Sequence, residues 1–454
     1  MIPPLFEHQT TDINFYLDRP YVFNTSDPGT GKTRTTIETI RRSAAHRPAI
    51  IFAPKSIMQA SWGNDLDKFA PELTWIIATP ANRIEAIKLD VDVVITNTDA
   101  AISIAKFDTK SLRRFKYIVM DESTAYKNPT SQRSKAIAKL SEGIPNRTAL
   151  TGTPRPNTIL DLWHQAYLLD RGTRLGARYY AFRAAVCEPI ATHAGDKTFN
   201  NWFEKPGIET VVAQQLSDIT IRRTLAECTD IPPQHNYTLY YQPNKKTLNA
   251  YYAMKRDSML EFDSGRITTA VHAAAVTNKM LQILSGAVYD NQGDYDLIDP
   301  ERYELVMELA AQRQHSLIAF TWRHQKIELT RLATKLGLDF ACIDGSTPLS
   351  QRAQIVNDYQ AGRYQTLLAQ PQSAGHGLTL TKGASIIWAS PTYNLEHYLQ
   401  FNRRVYRIGQ TQRTEIINTC AKGTYEETAY TMLQGKKESQ NIFLDFLSPI
   451  LEPA

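Results

Sequence analysis

The sequence predicts an α/β protein made of two parallel-sheet lobes, with helical insertions between and within them. Three observations predict it. Residues 21–153 alternate short apolar runs with helical or polar stretches, residues 316–420 repeat that rhythm, and residues 158–290 carry helical periodicity with few strand signals. A chain of 454 residues is too long for one ordinary core and suits two or three domains. The first lobe is expected over 1–228, with a helical segment at about 158–216. The second is expected over 229–454, with a helical insertion at about 244–290.

The first apolar run, Tyr21–Phe23, leads into Ser26-Asp-Pro-Gly-Thr-Gly-Lys-Thr33 and then a helix over Thr33–Arg42. Strand, glycine loop, Lys-Thr and helix is the layout that cradles nucleotide phosphates. Gly29, Thr30 and Gly31 let backbone N–H groups close around a phosphate, and the helix N-terminus adds partial positive charge. Lys32 would reach the β- and γ-phosphates of ATP, and the Thr33 hydroxyl would ligate Mg²⁺. The usual pattern opens with Gly, where this chain has Ser26. A Gly-rich turn before a helix is the plainer reading.

The next runs are Ala49–Ala53, Trp75–Ala78, Val91–Thr96, Tyr117–Met120 and Thr148–Leu150. Several end in a polar or Gly-rich motif, as parallel strands do where ligands gather at their carboxyl ends. Asp121-Glu122 closes one of them. Asp121 would hold Mg²⁺ through water and Glu122 would orient the attacking water; a polar helix cap uses the same residues. Thr148-Ala-Leu-Thr-Gly-Thr-Pro154 offers hydroxyls that could sense a γ-phosphate, or forms a simple strand-end turn.

Leu160–Leu169 and Lys245–Leu284 read as helical. The pair Pro232-Pro233, shortly after Arg222-Arg223, is a candidate hinge or boundary. Strands resume at Ser316–Phe320, Phe340–Ile343, Thr366–Ala369, Ser385–Ala389 and Glu415–Asn418. Arg403 to Gln410 reads as helix, which would put Arg404 and Arg407 on one face. From there they would stabilise charge on a transferring phosphoryl, or form a solvated basic face. Ile442–Leu451 is apolar enough to dock as a terminal helix.

Composition excludes several classes. Hydrophobic residues make up 42% and charged residues 21%, as in a soluble globular protein, and no apolar run approaches membrane-spanning length. The first residues lack a basic-then-apolar leader, so secretion is not expected. Four dispersed cysteines show no zinc spacing and fit reduced thiols in a cytosolic compartment. A net charge of +5 mildly favours a polyanionic partner.

Taken in order, these motifs resemble the Swi/Snf-like branch of helicase superfamily two, the ATP-driven double-stranded DNA translocases, nearly end to end. Leu5-Phe-Glu-His-Gln9 resembles the adenine-reading segment. Ile51-Phe-Ala-Pro-Lys-Ser56 with Trp62, and Val94-Ile-Thr-Asn97, resemble the first and second DNA-contact motifs. Asp121-Glu-Ser-Thr-Ala-Tyr-Lys-Asn128 resembles the acidic box, and Leu150-Thr-Gly-Thr-Pro-Arg-Pro-Asn157 the motif after it. Ile221-Arg-Arg-Thr224 resembles the inter-lobe junction. In the second lobe, Ile343-Asp-Gly-Ser346 with Arg352, Ser373-Ala-Gly-His-Gly-Leu-Thr-Leu380 and Gln400 to Gln410 complete the set. Thr124 stands where the family commonly has His. Arg403, Val405 and Tyr406 replace its Asp, Ala and His, and Thr379 its Asn.

The resemblance implies two RecA-like lobes with ATP and Mg²⁺ between them. Gln9, Gly29, Thr30, Gly31, Lys32, Thr33, Asp121 and Gly377 would bind them. Lys32, Asp121, Glu122, Arg404 and Arg407 would serve hydrolysis. Lys55, Thr96, Asn97, Lys127, Arg323 and Ser373 are the expected contacts to double-stranded or forked DNA. Trp322 would stack there or simply pack. A minimal motor of this kind is similar to bacteriophage or bacterial members, which implies a cytoplasmic setting in a bacterial or phage-infected cell, with a nuclear one left open. Rival readings are a strand-separating or annealing helicase on forked DNA or RNA, and an inactive nucleic-acid-binding scaffold.

Overall fold

The computed structural model describes residues 2–107, 111–194, 197–257, 259–261, 267–269, 273–290, 292–374 and 378–447. The chain divides into two compact units. One runs to Asp230 and takes in the chain from Lys436 onward; the other is Ile231–Gly435.

The first unit is built on β1 (Tyr21–Asn24), β2 (Ala49–Ala53), β3 (Trp75–Ala78), β4 (Val93–Asn97), β5 (Tyr117–Asp121) and β6 (Asn146–Leu150). A hairpin of β7 (Cys187–Ala194) and β8 (Lys197–Glu204) follows, then the short β9 (Thr220–Ile221). Among the described residues the main sheet runs β3-β4-β2-β5-β6-β1-β9, every pair parallel. Both faces are covered, so the strands read as continuous apolar runs. Along β2, Ile50 and Phe52 join one core cluster while Ala49, Ile51 and Ala53 join another.

The second unit repeats the plan. It contains β10 (Gln234–Tyr241), the small hairpins β11 (Met259–Glu261) with β12 (Ile267–Thr269) and β13 (Ala287–Tyr289) with β14 (Tyr295–Leu297), then β15 (Ser316–Ala319), β16 (Phe340–Ile343), β17 (Thr366–Ala369), β18 (Ser385–Trp388) and β19 (Thr414–Ala421). The sheet order is β10-β19-β18-β15-β17-β16, again all parallel. Leu317 and Ala319 face one core, Ile318 and Phe320 the other. Arg302 pairs with Glu426, both fully buried, and Glu426 also accepts the Ala421 amide, which fixes the start of the last helix, Tyr425–Leu447. Further along that helix, Phe443 and Leu444 belong to the first unit's core.

Three expectations need correction. The segments read as helical contain strands: β7 and β8 in the first unit, β11 to β13 in the second. The helix expected to carry Arg404 and Arg407 stops at Asn402. Arg404 Nε takes the Gln400 carbonyl that a continuing helix would give to the Arg404 amide, and that amide turns to Phe401 instead. The terminal helix begins earlier than expected, at Tyr425, and the expected 448–451 portion lies outside the described residues. No described helix is long and apolar enough to cross a membrane.

Candidate nucleotide site

The site grows from the carboxyl end of β1. Asn24 Oδ1 accepts the Ser26 amide (2.9 Å) and its Nδ2 donates to the buried Tyr16 hydroxyl (2.9 Å), which fixes where the strand ends and the loop begins. The loop then turns through Gly29 (φ 90°) and Gly31 (φ 88°), values that suit glycine alone at little cost. Helix α2 (Lys32–Arg42) starts at once, with Gly31 at its N-cap and no side chain capping it. Its first amides therefore face a loop shaped for an anion.

Helix α1 (Glu7–Leu17) lies against this loop. His8 Nε2 donates to the Thr30 carbonyl (2.9 Å). A Cβ added to Gly31 would stand 2.2 Å from Gln9 Nε2. On another side, a Cβ on Gly152 would stand 2.7 Å from Pro28 Cδ, so the turn after β6 packs directly on the loop. The Thr153 hydroxyl, next to that contact, is buried and has no hydrogen-bond partner among the described residues. Such an unsatisfied group is expected where a ligand supplies the missing bond.

Lys32 Nζ donates to the carbonyls of Ser26 (2.6 Å) and Asp27 (3.0 Å). Burial pulls its ammonium down to about 8, against the opposing pull of Glu122, Asp121 and Asp27. Asp121 ends β5 and is nearly buried. Its Oδ2 accepts the Trp62 indole N–H (2.8 Å) and its Oδ1 the Glu122 amide (3.0 Å). Burial raises its carboxyl above the ordinary range, partly offset by Trp62 and Lys32. Glu122 sits at φ 51°, ψ 56°, a left-handed conformation uncommon outside glycine and frequent at functional sites.

The structure thus brings Gln9, Gly29, Thr30, Gly31, Lys32, Thr33, Asp121 and Glu122 together around one loop and one strand end. Trp62, grouped by the sequence with a DNA-contact motif, is instead 0% exposed and holds the Asp121 carboxylate. Nothing in the local sequence signals that partnership across 59 positions.

The second unit places its two arginines together without a helix. Arg404 and Arg407 both donate to the Leu378 carbonyl, at 3.3 and 3.0 Å. Gly377 lies outside the described residues. Of the remaining positions, Lys55 and Arg323 are exposed and Lys127 is half-buried. Asn97 Oδ1 accepts the Ala100 amide (2.8 Å) at the start of helix Ala100–Phe107. The Ser373 carbonyl accepts from Arg352 (2.8 Å). Thr96 departs from expectation: it is 0% exposed and its hydroxyl donates to Ala78 (3.1 Å), so its side chain does not present itself to a phosphate backbone.

A parallel sheet with a phosphate loop after one strand and an acidic pair at the end of another has the layout of a nucleotide-hydrolysing enzyme. Comparison with known proteins makes this specific. Residues 25–287 match the SNF2-related domain and residues 301–409 the helicase conserved C-terminal domain. The chain belongs to the SNF2-related family and is a helicase-like, ATP-hydrolysing enzyme. It is 28% identical to putative protein p41 of Acyrthosiphon pisum secondary endosymbiont phage 1, over 92% of this chain and 93% of that one. It is 24% identical to the mouse DNA annealing helicase and endonuclease ZRANB3, over 90% of this chain but 38% of that protein. Several other curated relatives are also longer, the chain spanning 39% to 61% of their length. A solved structure titled as the Sulfolobus solfataricus SWI2/SNF2 ATPase core in complex with dsDNA is 22% identical, with a TM-score of 0.44 over 98% of this chain and 93% of that one.

Proposed function

We propose that this protein is a DNA-dependent ATPase that translocates on, or remodels, double-stranded DNA. The observation that carries the ATPase half is Lys32, seated on the loop carbonyls of Ser26 and Asp27 within the field of Asp121 and Glu122. In this reading Gln9 meets the adenine and the amides of Gly29 to Gly31 meet the phosphates. Lys32 stabilises charge on the β- and γ-phosphates, and Glu122 orients the attacking water.

The Thr33 hydroxyl and the Asp121 carboxylate form an oxygen-only donor set, which suits a hard cation such as Mg²⁺. That ion would neutralise phosphate charge. Trp62 keeps Asp121 oriented for the task. Arg404 and Arg407, held side by side at Leu378, would act on the transferring phosphoryl.

The DNA half of the proposal rests on family membership, on the name of the annealing relative and on the net charge of +5. Lys55, Asn97, Lys127, Arg323 and Ser373 would meet phosphates, giving sequence-independent, salt-sensitive binding. The test is steady-state phosphate release with single-stranded DNA, duplex, forked DNA and RNA at fixed salt. Duplex should raise the rate most, and the stimulation should fade along a log–log salt line. A rate indifferent to DNA at low salt overturns the reading; preference for forks or RNA moves it to a strand-separating or annealing activity.

A further inference from the structure

The phosphate loop has a second wall that the nucleotide chemistry does not use. Residues Thr220–Leu225, the short strand β9 and the irregular segment that follows it, run alongside the loop as a strap. Thr25 bonds the Ile221 carbonyl through its amide (2.8 Å) and its hydroxyl (3.1 Å). The Asp27 amide donates to the Arg223 carbonyl (2.8 Å), and the Arg223 amide to Ser26 Oγ (3.0 Å). The Leu225 amide donates to Asp27 Oδ2 (3.1 Å).

Two arginine side chains tighten this strap. Arg222 donates to the Thr25 carbonyl (2.8 Å) and pairs with Asp27 Oδ1 (2.8 Å), both partners nearly buried. Arg223 places Nε and a terminal nitrogen on Asp12 Oδ1 (3.0 and 2.9 Å). Asp12 sits on α1, the helix that carries His8 and Gln9 onto the loop. Ser26 and Asp27, gripped from the strap side, are the same residues whose carbonyls seat Lys32. Six residues after Leu225 the chain enters the second unit at Ile231.

We infer that Arg222 and Arg223 are positioning residues for nucleotide binding: they fix the phosphate loop and the Gln9 helix from the connection to the second unit, so that strain on the connection is felt as a change in nucleotide affinity. The inference rests on the loop being the nucleotide site. A preorganised loop binds its anion without first paying to order its amides. A loosened strap therefore costs affinity before it costs chemistry. Lysine is a poor substitute: its single ammonium cannot place two nitrogens on Asp12 Oδ1 as Arg223 does, and it lacks the rigid fork that sets the Arg222 nitrogen between Thr25 and Asp27.

The experiment titrates full-length protein with a fluorescent ADP, mant-ADP, well below each variant's melting midpoint, and measures ATP turnover in parallel. Arg222→Lys and Arg223→Lys should each weaken mant-ADP by about tenfold, and KM for ATP should rise by more than kcat falls. Asp12→Asn combined with Arg223→Gln should lose no more than Arg223→Gln alone, since the two act as one unit. Should Arg222→Lys fail to fold, Arg223→Lys and Asp12→Asn decide by the same measure. Folded variants that bind mant-ADP within about twofold of the natural protein overturn the inference. Failure of the natural protein itself to bind mant-ADP overturns the nucleotide reading instead.

Discussion

The two units make the same crossover with opposite results. In the first, β1 leads through seven residues, 25–31, into α2. In the second, β15 leads through three, 320–322, into the helix Arg323–Lys335. Both strands lie inside a parallel sheet, with a strand on either side. The α2 N-terminus opens on a loop with two left-handed glycines and no side-chain cap. The other N-terminus is spent on its own chain: Gln325 Oε1 accepts the Thr321 (2.7 Å) and Trp322 (2.9 Å) amides, and the Tyr289 hydroxyl accepts the His324 amide (3.0 Å). The fold supplies a helix dipole in both places. What separates an anion site from a structural turn is a loop long enough to surround a ligand together with first amides left for it.

The largest effect should come from emptying the open terminus of its cation. Lys32→Ala should cut ATP turnover by about 10³-fold or more, and Glu122→Gln similarly, while duplex binding survives. Glu122→Gln should still retain nucleotide, because the lost charge acts on the attacking water. Phosphate-release and filter-binding assays on the same preparations check both halves, and normal turnover by either variant refutes the site.

Next in size are the second unit's arginines. Arg404→Ala or Arg407→Ala should lower turnover by roughly 10²-fold at saturating ATP and DNA, with mant-ADP affinity changed less. Arg→Lys should rescue poorly. A loss that disappears at saturating DNA would make the pair an ordinary basic surface and leave the second unit without a part in hydrolysis.

What the sequence made legible is what lies close together along the chain. The loop Ser26–Thr33, the acidic pair after β5 and most strand positions are written in a few consecutive residues, and the structure places them within a residue or two. Three features were hidden because their causes are elsewhere. The β7–β8 hairpin lacks clean alternation and has Pro189 in its first strand, so periodicity was a poor guide. Arg404 and Arg407 have helical spacing, but one side chain bonding a main-chain carbonyl ends the helix before them. Trp62 on Asp121 and Arg222 on Thr25 join residues 59 and 197 positions apart.

A smaller, titratable difference follows from the burial of Lys32, whose ammonium is drawn down to about 8. Its unfolded value is 10.5, so between about 8 and 10.5 the unfolded chain binds more protons and this group's contribution to stability rises with pH. Nucleotide binding runs the other way. Phosphates favour the charged ammonium, so the complex keeps the proton that the free protein sheds. Affinity for mant-ADP should be flat below pH 7 to 8 and fall by about tenfold on reaching pH 9. Nucleotide phosphates are almost fully ionised across that range and add little slope. Lys32→Arg should flatten the profile; a flat profile in the natural protein would mean that the ammonium is not buried as the structure shows.

The smallest effect on nucleotide, and the sharpest test of the comparison, belongs to Gln325. It is 0% exposed, and besides its two amides it donates to the Ser390 hydroxyl (3.0 Å). Gln325→Ala strips the cap from the second unit's helix and leaves the half-buried Thr321 and Trp322 without the acceptor their amides use. Stability in urea should drop by about 2 kcal/mol, the cost of unmade buried hydrogen bonds. If capping were all that kept this terminus from binding phosphate, uncapping it would create a second nucleotide site. The short turn argues against that: three residues without glycine cannot wrap their amides around an anion. Mant-ADP titration of Gln325→Ala should therefore give one site with an unchanged dissociation constant, within about twofold, although the protein melts earlier. A second binding phase would show that capping alone distinguishes the two crossovers. A tenfold weaker single site would show that the second unit's turn supports the nucleotide at the first.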